Sequence, residues 1–167
     1  MALLRSSIFI GLSLILAGCG FSLRGNDIIT AKFTMLELQL AQPNSELAGL
    51  LKRSLEIAAV SLTDSGAGST TASTPVLQMG AEQLVSRPVS VNPRARAAQY
   101  ELRLSVETSL SVDANLLMGP ETLVIERTYF EDIESIVGNQ EELQIIAAEM
   151  RRELINQLLR RLEAVNI

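Results

Sequence analysis

Residues 100–112 read YELRLSVETSLSV, and this alternation of apolar and polar side chains decides the fold. Successive side chains of a β-strand point to opposite faces, so a period of two predicts one buried face and one solvent-facing face. Thr108 alone interrupts the apolar series. Burial on one side is typical of antiparallel sheets, so we predict an antiparallel strand here. The apolar positions are Tyr100, Leu102, Leu104, Val106, Leu110 and Val112.

Three further segments have strand character. Residues 32–40 alternate in the same way, with leucines on one side. Residues 76–85 predict a weaker strand, in which Gly80 indicates an edge position or a bulge. Residues 122–130 are fairly apolar on both faces, so this strand either lies in the centre of the sheet or meets a partner.

Two segments predict amphipathic helices. Residues 45–60 carry leucines at helical spacing, and Ser45 is suited to cap the N-terminus. Residues 139–163 predict a long helix, with Asn139 and Glu142 spaced as in a capping box. The apolar stripe of the long helix consists of Leu143, Ile146, Ala147, Met150, Leu154, Leu158 and Leu162.

The predicted order is β-α-β-β-β-α. It favours an α+β two-layer sandwich, in which about four mostly antiparallel strands are covered on one face by two helices. We expect residues 31–167 to form this single α+β domain, since 167 residues leave little room for two. Residues 63–75, rich in Ser, Thr, Gly and Ala, are interpreted as a loop without identifiable chemistry.

The N-terminus reads as an export signal. Arg5 precedes about a dozen mostly apolar residues, fewer than the roughly 20 that a transmembrane helix needs. The following quartet, Leu16-Ala17-Gly18-Cys19, resembles the bacterial lipobox, which implies that Cys19 is acylated; the alternative is a plain signal peptide with an incidental Cys. We therefore predict a cleaved lipoprotein signal at 1–18, and an acylated Cys with a tether at 19–30.

Composition excludes several classes of site. The chain has no His and no Trp, and Cys19 is its only Cys. The chain therefore cannot form a His-assisted nucleophile, a His-ligated metal site or an internal disulfide, because the residues that each requires are missing. We predict no catalytic residues, no metal site and no cofactor beyond the lipid on Cys19. The net charge of −5 and the 4% aromatic content also argue against nucleic acid as a partner.

Charge is distributed unevenly. Residues 111–167 hold 5 basic and 11 acidic side chains, whereas residues 83–100 contain three arginines and no acid. Arg87, Arg94 and Arg96 form this basic patch, and the guanidinium group suits bidentate contact with phosphate. The alternatives are a solvated loop or ion pairs to a partner protein.

Four short stretches resemble the LPS-assembly lipoproteins of the LptE family. They are Cys19-Gly20-Phe21-Ser22-Leu23-Arg24-Gly25, Ala98-Gln99-Tyr100-Glu101, Arg127-Thr128-Tyr129-Phe130 and Ile145-Ile146-Ala147-Ala148-Glu149-Met150. The resemblance implies a lipoprotein on the periplasmic side of the outer membrane, which plugs the LptD β-barrel and helps deliver lipopolysaccharide to the outer leaflet. The polar face of strand 100–112 would then contact the barrel lumen or remain solvated.

The resemblance also implies individual roles. Gly20 favours the outer membrane, because an Asp there would resemble the signal for inner-membrane retention. Arg94 matches best the basic loop residue associated with lipopolysaccharide contact, whereas a second basic residue expected before the last helix is missing near Gly138. Two other functions stay open: a pilot for another outer-membrane complex, and a periplasmic lipid carrier.

Overall fold

The computed structural model describes residues 27–64, 74–91, 97–113, 115–130 and 136–166. Within these ranges the chain forms three helices and six strands, which confirms the predicted α+β class. The helices are α1 (Asp27–Lys32), α2 (Glu46–Ile57) and α3 (Ile136–Ala164). The strands are β1 (Met35–Leu40), β2 (Ser61–Asp64), β3 (Val76–Met79), β4 (Gln83–Val91), β5 (Ala97–Val112) and β6 (Asn115–Phe130).

The predicted antiparallel strand at 100–112 is confirmed as part of β5, and strand pairing places β5 at the centre of the sheet. Its even positions from Leu102 to Leu110 are buried, Thr108 included, and the hydroxyl of Thr108 forms no hydrogen bond with another described residue. Strand β6 pairs with β5 along almost its whole length. On the opposite edge of β5, β3 pairs with Thr108–Ser111 and β4 with Ala97–Ser105. Strands β3 and β4 therefore follow one another along the same edge.

The outer strands make the sheet mixed. Strand β1 pairs in parallel with both β3 and β2. The sheet is thus five strands wide where β3 lies and three strands wide where β4 lies. The four-residue β2 begins just before the predicted loop 63–75, of which residues 65–73 lie outside the described residues. Four residues are too few to reveal a period, which explains why the sequence did not predict this strand.

The predicted strand at 76–85 is divided at Gly80. The N–H of Gly80 donates to the carbonyl of Glu107 at 2.8 Å, and a Cβ at this position would lie 3.4 Å from the same oxygen. The side-chain-free residue lets the backbone approach β5 closely as the chain passes from β3 to β4. Gly80, where the sequence predicted an edge position or a bulge, is therefore the boundary between β3 and β4.

Helix α2 begins where the sequence predicts. Ser45 is the N-cap, and its hydroxyl accepts a hydrogen bond from the N–H of Ala48 at 3.1 Å. Helix α3 begins at Ile136, so Asn139 lies inside the helix and the predicted capping box is wrong. Asn139 is buried in the folded domain, a position that tertiary packing decides and local spacing does not.

Helix α1 was not predicted. It occupies the end of the stretch assigned to a tether, yet Ile29 is completely buried. The ammonium of Lys32 donates to the carbonyl of Val165 at 2.7 Å and also to that of Glu163, which satisfies carbonyls at the end of α3. The packed domain therefore begins before residue 31, the predicted boundary.

The core lies between the sheet and the helices α2 and α3. The predicted apolar stripe of α3 is confirmed, because its side chains form part of this core. The buried residues are Ala147, Met150, Leu154, Leu158 and Leu162, and the partly buried ones that pack against the core are Leu143 and Ile146. Among the described residues, no helix has both the length and the apolar character that membrane crossing would need.

Helix α2 ends in a strained motif that offers a stability prediction. The N–H of Ala59 bonds to Glu56 and that of Val60 to Leu55, the pattern of a Schellman motif, with Ala59 at φ 55°. Glycine adopts this conformation without a Cβ penalty, so Ala59→Gly should raise the free energy of unfolding by about 0.5–1 kcal/mol. Urea unfolding measures the change. The matched control is Ala58→Gly, at φ −77°, which should destabilise instead; stabilisation by both variants would contradict this account.

Candidate functional site

The domain is elongated, and its two ends are chemically different. Helix α3 has 29 residues and runs antiparallel to β6, since Arg161 pairs with Glu121 at 3.7 Å and Glu153 pairs with Arg127. At 1.5 Å per residue, α3 spans roughly 43 Å. Its C-terminus packs against α1, the first described element after Cys19. Its N-terminal half lies towards the first residues of β5, which follow Arg94 and Arg96. We call the two ends the anchor end and the arginine end.

At the arginine end, Arg87 already has a carboxylate partner. Its Nε donates to Oε1 of Glu101 at 2.7 Å, and a second guanidinium nitrogen lies 2.7 Å from the same oxygen. Glu101 is the residue just beyond the acid-free stretch, and the β4–β5 register places it opposite Arg87. Pairing across the strands thus neutralises one of the three arginines in the predicted patch. Arg94, Arg96 and Cys19, the predicted acylation residue, lie outside the described residues.

The sheet face opposite the helices, which we call the open face, is polar and largely paired with itself. Arg103 pairs with Glu126 at 3.3 Å, beside the Arg87–Glu101 pair. Nearer the anchor end, a chain of hydrogen bonds crosses the strands, with Ser109 donating to Gln78, Gln78 to Gln39 and Gln39 to Glu37. This face is therefore suited to water or to a polar protein wall.

An exposed aromatic ring at the arginine end was not singled out by the sequence. Phe130 is 70% exposed and lies beside Gln99 on the open face. On the helix side of the same strands, Tyr100 and Tyr129 stack with ring centroids 5.4 Å apart. Strand β6 is an edge strand among the described residues, so the alternative that placed residues 122–130 in the centre of the sheet is wrong, and contact with a partner stays a prediction. The apolar character of both faces was the available sequence signal.

Arg151 of α3 forms ion pairs with two other parts of the domain, and it was not identified from the sequence. Its Nε donates to both carboxylate oxygens of Glu82, at 2.8 and 3.1 Å, and another guanidinium nitrogen lies 2.8 Å from Glu46. The side chains of Arg151 and Glu82 are only 18% and 11% exposed. The hydrogen bond to Glu82 raises the pKa of Arg151, against the opposing effect of burial, so the cation persists at all working pH values. This cluster fixes α3 to the β3–β4 connection and to the start of α2.

The surface of the domain has two open clefts near the residues described above. One, of about 820 Å³, lies at the ends of β1 and β3 and has a mixed lining that includes Lys52, Gly80 and Glu107. The other, of about 800 Å³, lies between α3 and β4 and includes Leu84, Ile145 and Ala148. Among the described residues, no three His, Cys, Asp or Glu side chains are grouped so that they could hold a metal ion.

A family model described as "LptE: Lipopolysaccharide-assembly" matches residues 33–162, from the residue after α1 almost to the end of α3. The chain belongs to the LptE family. Its relatives include the LPS-assembly lipoprotein LptE of Pectobacterium atrosepticum, 26% identical over 96% of this chain and 85% of that protein. The corresponding lipoprotein of Photorhabdus laumondii is 27% identical over 96% of this chain and 86% of its own length.

Solved structures show that the LptE-type fold is shared. Rare lipoprotein B from Shewanella oneidensis superposes with a TM-score of 0.68 at 24% identity, covering 76% of this chain and 92% of that one. Lipoprotein B from Nitrosomonas europaea gives a TM-score of 0.65 at 18% identity, covering 87% and 91%. At these identities the likeness supports the fold, and it confirms the α+β architecture predicted for an LptE-family chain.

Proposed function

We propose that this protein is an outer-membrane lipoprotein, acylated on Cys19, that assembles with and plugs the LptD β-barrel and so assists lipopolysaccharide delivery to the outer leaflet. The family match over residues 33–162 is the observation that carries the proposal. The two relatives that align with 96% of the chain are named LPS-assembly lipoproteins.

The geometry of the two ends supports a tethered plug. Helix α1 begins at Asp27, eight residues after Cys19. At 3.3–3.6 Å per residue, an extended chain of that length reaches roughly 29 Å at most, so the anchor end stays near the periplasmic membrane surface. The lumen of a wide barrel is polar, and the ion-paired open face of the sheet suits such a wall.

Lipopolysaccharide contact is assigned to the arginine end. We propose that Arg94 and Arg96 bind lipid phosphates through charge-assisted hydrogen bonds, which are the stronger kind. Arg87 contributes less, because Glu101 already neutralises it. No catalytic step is proposed, since the chain has no His and its one Cys is the proposed acylation site.

Affinity purification from detergent-solubilised outer membranes tests the proposal. We expect the full-length lipoprotein to co-purify with the LptD barrel, and its N-terminal peptide to carry acyl chains on Cys19 by mass spectrometry. A Cys19→Ala variant is the control for the acyl mass. Capture of a secretin instead of LptD would support the pilot function, and capture of neither would refute assembly with an outer-membrane complex.

A further inference from the structure

Strand β4 has a free edge, since its only partner among the described residues is β5. Nearly all of its described side chains are exposed, including Leu84, Val85 and Val89. A free edge presents a row of unpaired N–H and C=O groups, which another strand satisfies better than a helix or a lipid does. The backbone chemistry of this edge therefore calls for an extended peptide.

No strand of the described residues lies beside β4 on the side away from β5, and one end of that position is bounded by the end of β1. Strand β1 fills the corresponding position beside β3 and ends at Leu40. Just beyond it, the side chain of Gln42 accepts a hydrogen bond from the N–H of Glu82 at 3.1 Å, in place of a neighbouring strand. The free edge starts at the next residue, Gln83. A further strand would continue the line of β1 along β4.

The cleft between α3 and β4 would receive the side chains of that strand. Leu84 pairs in register with the buried Leu104, so it lies on the helix side of the sheet. It lines the cleft of about 800 Å³ together with Ala148 and Ile145 of α3. Leu84 is 41% and Ile145 61% exposed, so their apolar surface is incompletely covered. Alternate side chains of an added strand would point into this space.

The charged residues that line the cleft indicate which kind of peptide segment would bind beside β4. The cleft is also lined by Glu46, Glu141 and Glu149, against Arg151 and Arg152. The charge of Arg151 is already shared between Glu82 and Glu46. The net charge of the cleft lining is therefore negative. A basic peptide segment is favoured as the molecule that binds there, and an anionic lipid headgroup is disfavoured.

We propose that the free edge of β4 binds an extended segment of the barrel partner, with apolar residues at alternate positions and at least one Lys or Arg. This inference rests on the proposed function, because the barrel supplies the strand. Backbone hydrogen bonds provide the pairing, and the cleft provides selectivity for the apolar side chains.

Hydrogen exchange of the full-length lipoprotein, alone and in its purified barrel complex, tests this. We expect the amides of residues 83–87 and 89–91 to exchange at least about tenfold more slowly in the complex, whereas Pro88 has no N–H to exchange. Another edge strand of the sheet, β2 at residues 61–64, is the internal comparison, and its exchange should change less than about twofold. If the complex forms and the exchange of 83–91 is unchanged, the inference fails while the proposed function stands. If the barrel is not captured at all, both are overturned. Protection that rises with the concentration of the lipoprotein alone would assign the edge to a second copy and overturn the inference.

Two variants and a matched control make the test specific. Leu84→Lys and Ile145→Lys place a charge in the cleft, and each should speed dissociation of the complex at least about tenfold. Ile57→Lys, at a 73% exposed position at the end of α2, should change dissociation less than about twofold. Circular dichroism verifies that each variant is folded. Equal effects of the control and the cleft variants would refute a specific role for the cleft.

Discussion

Arg151→Met is expected to lower the free energy of unfolding by about 3 kcal/mol. The substitution keeps a similar apolar stem but leaves Glu82, with a side chain only 11% exposed, without its bidentate partner. Breaking a buried pair by removing one charge costs about 3–5 kcal/mol, and the remaining exposure places this pair at the lower end of that range. Urea unfolding monitored by circular dichroism measures the loss.

Two further variants separate this effect from a general effect of losing charge. Arg152→Met changes the neighbouring residue of the same helix, which forms no ion pair with another described residue, and should alter stability by less than about 0.5 kcal/mol. Adding Glu82→Gln to Arg151→Met should recover part of the loss, because a neutral amide is easier to bury than an unpaired carboxylate. An equal loss in Arg152→Met, or no recovery in the double variant, would show that the cluster is not the cause.

Charge reversal at Arg94 and Arg96 should weaken lipopolysaccharide binding by about 2 kcal/mol, which corresponds to about 30-fold in Kd. In the sequence, both arginines fall between the residues of β4 and those of β5. The double variant Arg94→Glu with Arg96→Glu replaces attraction to lipid phosphates by repulsion. Titration of the detergent-solubilised lipoprotein with lipopolysaccharide measures the change, which should shrink as salt screens the charges.

The matched control is Arg53→Glu with Arg160→Glu, which alters net charge by the same amount on the helices. Both side chains are exposed, and neither forms an ion pair with another described residue. This variant should change the affinity by less than about threefold, because long-range effects are screened beyond roughly 10 Å at moderate salt. If the two double variants weaken binding equally, total charge governs the interaction and the assignment of Arg94 and Arg96 is wrong.

The strongest periodicities predicted the architecture well. The alternation of residues 100–112 identified an antiparallel strand and its buried face, and the stripe from Leu143 to Leu162 identified the core side of α3. Short elements were missed, since α1 and β2 have six and four residues and carry too few turns or alternations to show a period. The start of α3 was misplaced, because the spacing of Asn139 and Glu142 resembles a capping box although packing buries Asn139.

The candidate site was only partly accessible to the same reasoning. Counting acids along the chain made Arg87 part of a free basic patch, but Glu101 lies opposite it once β4 and β5 pair. Arg151 gave no signal, since its partners Glu46 and Glu82 are 105 and 69 residues away in the sequence. The free edge that β4 has among the described residues follows from strand order, which alternation does not specify.

The sequence by itself determined which face of each long element is buried, since alternation and helical spacing are local properties of consecutive residues. It also predicted the division into signal, tether and domain, and the resemblance to the LptE family that the family match confirms. Tertiary structure alone decided which strands are neighbours, which charges are neutralised and which edge is free. These properties depend on residues distant in the chain, which only packing of the whole domain brings together.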